Sequence, residues 1–334
     1  MEKGRSLPIL SGICCMLAVA LVPVMDSCAA PIELSWVSIV SKNNNPEMQA
    51  FDRAFIQRVN ERAKGELFIK YRGGPETITA FDQGKAVQKG VVDIANVACG
   101  FYEPIAPGVG GAMLTRIPLE EERKPGGGYD FLNELHKKGG LYYLGRGTPA
   151  DEYFALNLRK KVQSRQDFVG LRLGTATVSR ACVEAWGATV VSLSMDEYYT
   201  AMEHGMVDGI ASCPWTLLVS AGIHEVTKYA LDHGFYQSTL AVIMNLDKFN
   251  KLPKHLQTLM TESIIQSEKE MRTYYAGIKA DAKQKMAKSG IEFYKFPPDT
   301  AKWFLDTAYN AAWEYQMKRY PDVTPKLKQL LSGK

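Results

Sequence analysis

Short apolar runs alternate with amphipathic stretches over Asp167–Trp215, and this pattern predicts strands joined by helices. One strand is predicted over Gly170–Gly174 and the next over Ala188–Leu193, with a helix between them that ends at Gly187. A second helix is predicted over Asp196–His204. Strands that alternate with helices of this length indicate a parallel sheet, in which ligands bind beyond the carboxyl ends of the strands.

The N-terminal half has the same order of elements. Strands are predicted at Glu33–Val40, Leu67–Tyr71 and Val91–Ala98. A helix is predicted to begin at Asn45-Pro46, and another to cover Ala80–Lys89.

A short unit occurs once in each half. In Ala86–Ile94 and in Ala201–Gly209, a helix ends on glycine and Val-Asp begins a strand two residues later. Glycine takes the left-handed conformation at the helix end, which lets the chain turn directly into the sheet. We interpret the chain as two lobes of similar construction.

Three segments are predicted to connect the lobes. Tyr153–Leu158 is expected to cross as a strand and Tyr229–Asn245 to cross back. Lys254–Lys288 is predicted as one long helix with apolar residues on one face, lying across both lobes. The predicted fold class is therefore α/β with two lobes and a bridging helix. The predicted bounds are 31–152 plus about 240–265 for lobe I, 153–239 plus about 280–334 for lobe II, and 254–288 for the connecting helix.

The N-terminus has the layout of a secretory signal peptide. Leu7–Val24 is almost wholly apolar and follows a basic start, and the small residues Ser27 and Ala29 permit cleavage before Ala30. Residues 1–29 are therefore predicted to be removed on export, which places the protein in the periplasm.

Two alternatives remain for this segment: an uncleaved membrane anchor and a lipid-modified Cys28. The cysteines beyond it, Cys99, Cys182 and Cys213, are scattered and indicate no disulfide framework.

Composition and motifs exclude several function classes. With 46% apolar residues, 23% charged residues and a net charge of +4, the chain is an ordinary globular protein without a nucleic-acid signature. It lacks a Walker loop, a GxSxG elbow and an HExxH motif, and its five histidines have no metal-ligand spacing. Asp93 and Asp208 are expected to bond local backbone rather than act as an acid–base pair. We predict no catalytic residue, cofactor or metal, and we expect capture of a solute between lobes that close around it.

Several motifs resemble one family across nearly the whole mature chain. They are GLRLGT, EAWGATVVSLSMDEYYTAMEHGMVDG, KYALDHGFYQSTLAVIMN and KLPKHLQ, preceded by ERAKGELFIKYRGGPE and AVQKGVVDIA. In this order they resemble the periplasmic solute-binding (DctP-like) subunits of tripartite ATP-independent periplasmic (TRAP) transporters. The resemblance implies the two-lobe periplasmic-binding-protein fold, a ligand enclosed between the lobes, and delivery to membrane permease subunits.

The sequence departs from the family at its carboxylate-binding arginine. The arginine position at the end of the GLKIRV-like strand is Gly174, and a second basic position about twenty residues earlier falls on Phe154. A bidentate arginine is the natural ligand for a carboxylate. Arg172, two residues back, is interpreted as a solvated strand-end charge.

The residues expected to face the ligand lie on loops at the strand ends and on the crossing strands. They are Trp36, Ser41, Glu76, Tyr153, Phe154, Gly174, Thr177, Met195, Ser212, Trp215 and Phe235. This set predicts a pocket rich in aromatic surface, suited to an organic acid or a compound with an aromatic or apolar body.

The leading hypothesis is a monomeric TRAP-type binding protein for a small organic solute, with no nucleic-acid partner. The alternative is an exported sensory or scavenging module with the same lobes, which hands its ligand to a receptor. An exported enzyme is a third class, and it would need an acid–base or nucleophile pair that the sequence does not supply.

Overall fold

A computed structural model of the protein describes residues 1, 30–148 and 153–333. Met1–Ala30 and Pro31–Lys334 are separate units, and the fold described below is that of the second. Apart from Met1, the predicted signal peptide lies outside the described residues, so its cleavage stays a prediction. Among the helices that are described, none is both long and apolar enough to cross a membrane.

Twelve strands are described. They are β1 Ile32–Ser38, β2 Leu67–Gly73, β3 Ile94–Ala98, β4 Leu141–Arg146, β5 Tyr153–Leu158, β6 Arg172–Thr175, β7 Thr189–Ser192, β8 Gly209–Cys213, β9 Tyr229–Leu231, β10 Tyr236–Gln237, β11 Leu240–Asn245 and β12 Glu292–Tyr294.

Twelve α-helices accompany these strands over the described ranges. They are α1 Pro46–Phe51, α2 Arg58–Arg62, α3 Gln83–Gln88, α4 Leu119–Glu122, α5 Gly128–Lys138, α6 Arg180–Ala185, α7 Tyr198–Glu203, α8 Trp215–Ser220, α9 Leu246–Lys251, α10 Lys254–Lys288, α11 Pro298–Arg319 and α12 Thr324–Leu331. A π-helical turn, Asp52–Gln57, joins α1 to α2.

The strands form two sheets with equivalent orders. The first is β2-β1-β3-β11-β4, and the second is β7-β6-β8-β5-β9-β12 with β10 paired to β5. In the first sheet β1 is parallel to β2 and β3, whereas β11 is antiparallel to β3 and β4. In the second sheet β6 is parallel to β7 and β8, whereas β5 is antiparallel to β8 and β9. We call the two sheets with their packed helices the first and second lobes.

The predicted elements agree closely with these bounds, and the predicted two-lobe α/β class is confirmed. The long helix α10 has the predicted bounds and packs on α2 and β4 of the first lobe and on α8 of the second. Asn45 caps α1, because its side-chain oxygen accepts a hydrogen bond from the N–H of Met48 at 2.8 Å. Gly90 and Gly205 both have the left-handed backbone expected at a helix end, with φ of 70° and 71°.

The C-terminal helices extend over both lobes. Helix α11 packs on α6 of the second lobe and on the 3₁₀ segment Val109–Leu114 of the first, and α12 packs on α5 of the first. The sequence assigned all of 280–334 to the second lobe, whereas α12 contacts the first. The lobe bounds themselves stay a prediction.

Candidate functional site

The two aspartates at the strand starts join neighbouring parallel strands. Oδ2 of Asp93 accepts hydrogen bonds from the N–H and the Oγ of Ser35 at 2.7 and 2.8 Å. Oδ2 of Asp208 accepts from the N–H and the Nε of Arg172 at 3.0 and 3.1 Å. Partial burial opposes the ionisation of Asp208, but the hydrogen bonds from Arg172 outweigh it and lower the pKa of this carboxyl. Both aspartates therefore hold neighbouring strands together, through partners 58 and 36 residues away rather than through the local backbone that the sequence predicted.

At the strand position that carries the family arginine, an added side chain would meet the ends of two apolar side chains. A Cβ at Gly174 would lie 2.7 Å from Cδ1 of Ile210 and 3.0 Å from Cδ1 of Leu193, inside the second lobe. Arg172 is exposed and paired with Asp208, which agrees with its interpretation as a strand-end charge. Gly174 lies on β6, and its expected contact with the ligand stays a prediction.

At the strand ends of the first lobe, Ser41 and Glu76 lie together across a tight turn. Oε1 of Glu76 accepts a hydrogen bond from the N–H of Gly74 at 2.7 Å, and this bond lowers the pKa of the Glu76 carboxyl. The turn leaves no space beside Gly74, because an added Cβ would lie 2.7 Å from the backbone of Ser41. Glu76 is exposed and Ser41 is half-buried, so both face the edge at which a ligand is expected.

At the strand ends of the second lobe, the polar groups bond one another. Oγ of Ser212 accepts a hydrogen bond from the N–H of Ala176 at 2.8 Å and contacts the Oη of Tyr198. Thr177 begins the adjacent 3₁₀ turn Thr177–Ser179. Met195, which begins the turn after β7, is half-buried against the core of this lobe.

The two predicted tryptophans belong to the cores of their lobes. Trp36 is 1% exposed and makes an edge contact with Tyr71, with ring centroids 4.8 Å apart. Trp215 is 6% exposed and makes an edge contact with Phe293 at 5.1 Å. Their faces are therefore covered by protein, contrary to the expectation of ligand stacking. Within the described ranges, neither indole Nε1 has a hydrogen-bond acceptor, so each tryptophan retains a donor at its edge.

Three other predicted residues, which lie on or beside the crossing strands, differ in their burial and in their ring contacts. Phe154 is buried and stacks on Tyr236, with centroids 5.7 Å apart, so it contributes to the core. Phe235 makes edge contacts with Trp186 and Phe304 at 4.8 and 5.9 Å. Tyr153 remains half-buried.

The two lobes touch through segments that follow parallel strands. Glu47, which follows β1, accepts a hydrogen bond from the Oη of Tyr275 at 2.8 Å and contacts the hydroxyl of Thr216, which follows β8. Burial raises the pKa of Glu47 despite these bonds. A Cβ at Gly100, after β3, would lie 2.9 Å from Cγ1 of Val178, after β6. The strand ends of the two sheets therefore face each other.

A pocket of about 480 Å³ lies beside the crossing strands. It is lined by Tyr153, Phe235 and Gln237, by Met113–Arg116 of the first lobe, and by α11 through Lys302, Leu305, Asp306 and Tyr309. We call it the hinge pocket. Its volume falls within the range of about 300–1,000 Å³ that is usual for small-molecule sites.

The hinge pocket brings together two predicted residues, Tyr153 and Phe235, with residues that the sequence did not single out. Nε2 of Gln237 donates to the carbonyl of Thr115 at 2.8 Å and to the Oη of Tyr153 at 3.3 Å. The guanidinium of Arg116 lies 3.4 Å from the centre of the Tyr309 ring. No sequence pattern pointed to this contact, because about two hundred residues separate its partners.

The remaining histidines, cysteines and carboxylates were checked as possible metal ligands or reactive groups. Over the described ranges, no three His, Cys, Asp or Glu residues lie close enough together to hold a metal ion. Burial lowers the pKa of His136 to about 4, and its Nε2 is 2.9 Å from the Oη of Tyr102. Cys99, Cys182 and Cys213 are buried.

Comparison with known proteins gives one matching family model and many similar proteins. The model of DctP, the bacterial extracellular solute-binding protein family 7, matches residues 37–319. A monocarboxylate 2-oxoacid-binding periplasmic protein of Nostoc sp. is 19% identical over 72% of this chain and 68% of its own length. The C4-dicarboxylate-binding periplasmic protein DctP of Rhodobacter capsulatus is 24% identical over 75% of this chain and 76% of its own.

Solved structures share the fold. A TRAP periplasmic solute-binding protein from Desulfovibrio salexigens, with bound orotic acid, aligns with a TM-score of 0.77 at 19% identity. The alignment covers 90% of this chain and 97% of that one.

Proposed function

The chain belongs to family 7 of the bacterial extracellular solute-binding proteins, the DctP family, and from this premise we propose that it is the periplasmic subunit of a TRAP transporter. It captures a small organic acid between its lobes and delivers it to membrane permease subunits. The observation that carries the proposal is the pair of equivalent sheets whose strand ends face each other. Such an arrangement can enclose a ligand by a hinge motion about the crossing strands.

The substrate class follows from what similar proteins bind. The relatives described above are named for monocarboxylate 2-oxoacids and C4-dicarboxylates, and the solved structure holds orotate. Each of these compounds is a small organic carboxylate. The chain's own residues support this class, because the hinge pocket combines a guanidinium, an amide and aromatic walls.

The predicted site residues divide into two groups. Ser41, Glu76 and Ser212 stand at the facing strand ends, and Tyr153 and Phe235 line the hinge pocket. We propose that these five contact the solute. Thr177 and Met195 begin turns at the same edge of the second lobe and are proposed to border the solute. Trp36, Phe154, Gly174 and Trp215 are proposed to support the site from within their lobes.

The test is to identify the solute. Mass spectrometry of gently purified protein, followed by thermal unfolding with a panel of carboxylates, should reveal a compound that raises the melting temperature, because a ligand bound only by the folded state stabilises it. Steady turnover of that compound would overturn the proposal in favour of an enzyme. Absence of any stabilising carboxylate would overturn the proposed substrate class.

Delivery to a transporter is tested separately from binding. Deletion of the gene should abolish uptake of the identified solute by the cells. If uptake persists while a transcriptional response to the solute is lost, the sensory alternative holds instead. Protein sequencing of the periplasmic form should find Ala30 at its N-terminus, and light scattering should find a monomer.

A further inference from the structure

Arg116 in the hinge pocket carries a charge that none of the described carboxylates neutralises. Within the part of the chain that the structure describes, no carboxylate lies within salt-bridge distance of its guanidinium, which is exposed. Its position is nevertheless fixed. The N–H of Arg116 donates to the carbonyl of Leu331 at 2.7 Å, and its guanidinium lies over Tyr309, whose Oη donates to the Oγ of Ser332 at 2.7 Å.

Among the described residues, the rest of the pocket lining adds no net charge. Lys302 and Asp306 form an ion pair within one turn of α11. The charged groups of the described lining are this pair and Arg116, which together have one net positive charge. A single carboxylate balances that charge, whereas a dicarboxylate would bring one anionic group without a partner.

The pocket also offers an acceptor and apolar walls. Gln237 is 3% exposed, and among the described residues its Oε1 has no hydrogen-bond donor. Its orientation is set by Nε2, which donates to the carbonyl of Thr115. The neighbouring surface comes from Phe235, Tyr153 and Leu305. A solute with an apolar or aromatic body and a hydroxyl or N–H donor fits these groups.

We propose that Arg116 binds the carboxylate of the solute, and that the solute is a small organic monocarboxylate with an apolar or aromatic body. This rests on the proposed function and assigns the anion-binding residue of its site. It gives the solute carboxylate a basic partner although position 174 is a glycine. Because Tyr153 and Gln237 belong to crossing strands, an occupant of this pocket also contacts the segments about which the lobes move.

The experiment compares matched ligands on matched variants. Calorimetric titrations use a panel of monocarboxylates (mandelate, phenylglyoxylate, 4-methyl-2-oxopentanoate and orotate), the corresponding neutral amides, and succinate. The proteins are the wild type, Arg116→Gln and Arg165→Gln. Arg165 is a matched control, since it is also an exposed arginine over an aromatic ring, 5.1 Å from the centre of Trp303, and does not line the pocket.

The expected result is that at least one monocarboxylate binds the wild type and Arg165→Gln equally. Arg116→Gln should bind it roughly ten- to a hundredfold more weakly, because a charge-assisted hydrogen-bonded pair is lost. The affinity for its neutral amide should not change with the substitution.

Three outcomes would overturn the assignment. Equal carboxylate affinity of Arg116→Gln and wild type removes Arg116 from the site but leaves the proposed function intact. An equal loss for carboxylate and amide shows a structural role for Arg116. Binding of succinate alone, or of no compound in the panel, refutes the monocarboxylate class, and the second result also counts against the proposed function.

Discussion

The two lobes share their strand order but differ in what holds them near the hinge. In both, an aspartate directly before the third parallel strand bonds a residue of the neighbouring parallel strand, Asp93 to Ser35 and Asp208 to Arg172. In both, the strand that arrives from the other lobe, β11 or β5, lies antiparallel next to that third strand. This common plan fixes the starts of the paired strands.

The lobes differ in their buried ion pairs. In the first lobe, Arg146 pairs with Glu122 at exposures of 0% and 2%, and Arg123 pairs with Glu268 at 2.6 Å. Both lobes contain packed aromatic rings, and in the second lobe Trp186 stacks on Phe304 at 4.3 Å. The buried ion pairs of the first lobe therefore add to apolar packing that the two lobes share.

Removal of the carboxylate from the buried pair should have the largest effect. Glu122→Ala leaves the guanidinium of Arg146 buried without its anion, which should lower the free energy of unfolding by about 3–5 kcal/mol. Urea unfolding measures this loss. The control is Glu121→Ala, since the neighbouring Glu121 forms an exposed pair with Lys124 and should contribute less than about 1 kcal/mol. Equal losses would show that burial of the pair does not matter.

Loss of a buried ring from the second lobe should lower the free energy of unfolding. Phe304 is 0% exposed, so Phe304→Leu should lower the free energy of unfolding by about 1–2 kcal/mol. Phe68, which is 48% exposed on β2, provides the control, and Phe68→Leu should change stability by no more than about 0.5 kcal/mol. The same urea experiment distinguishes them, and a tolerant Phe304 would mean that the second lobe is stabilised elsewhere.

The shared aspartates allow a direct test of equivalence. Asp93→Asn and Asp208→Asn should each cost about 1–2 kcal/mol of unfolding free energy at neutral pH, because each loses hydrogen bonds to a charged acceptor. The lowered pKa of Asp208 adds a pH dependence. Its stabilisation is complete above about pH 4 and is lost as the pH falls through its folded-state pKa. The free energy of unfolding of Asp208→Asn should therefore fall less at low pH than that of the wild type. An equal fall in the two proteins would contradict this.

The smallest effect is expected at the contact between the lobes. Because burial raises the pKa of Glu47, the contact stabilises the fold most below the ordinary carboxyl pKa and weakens as the pH rises through the folded-state value. Glu47→Gln should remove this dependence, with a change below about 1 kcal/mol at pH 7. Unfolding measured from about pH 4 to pH 7 checks it, and an identical pH profile in the variant would place the dependence on another group.

The fold was predictable because its signals are local. The glycine stops at Gly90 and Gly205, the Asn45 cap and the uninterrupted pattern of α10 each specify structure within a few residues. The sequence did not predict that α11 would reach across to Val109–Leu114, since that contact joins segments almost two hundred residues apart.

The candidate site was less predictable, because strand-end position alone does not say which way a ring faces. Trp36 lies within β1 and Trp215 follows β8, and both rings pack inward. Arg116 and Tyr309 are adjacent only in the folded chain. The vacant arginine position at Gly174 was readable from the motif, but the residue that could take its role was not.

The most direct test of the account is the distance between the lobes with and without solute. Spin labels at Val91→Cys and Met206→Cys occupy equivalent, exposed positions, 69% and 55% accessible, while Cys99, Cys182 and Cys213 are buried. Pulsed electron paramagnetic resonance measures the distance between the two labels. Protein saturated with its identified solute should give a distance distribution that is shifted from that of the free protein and narrower. An identical distribution in the two states would contradict capture by closure of the lobes.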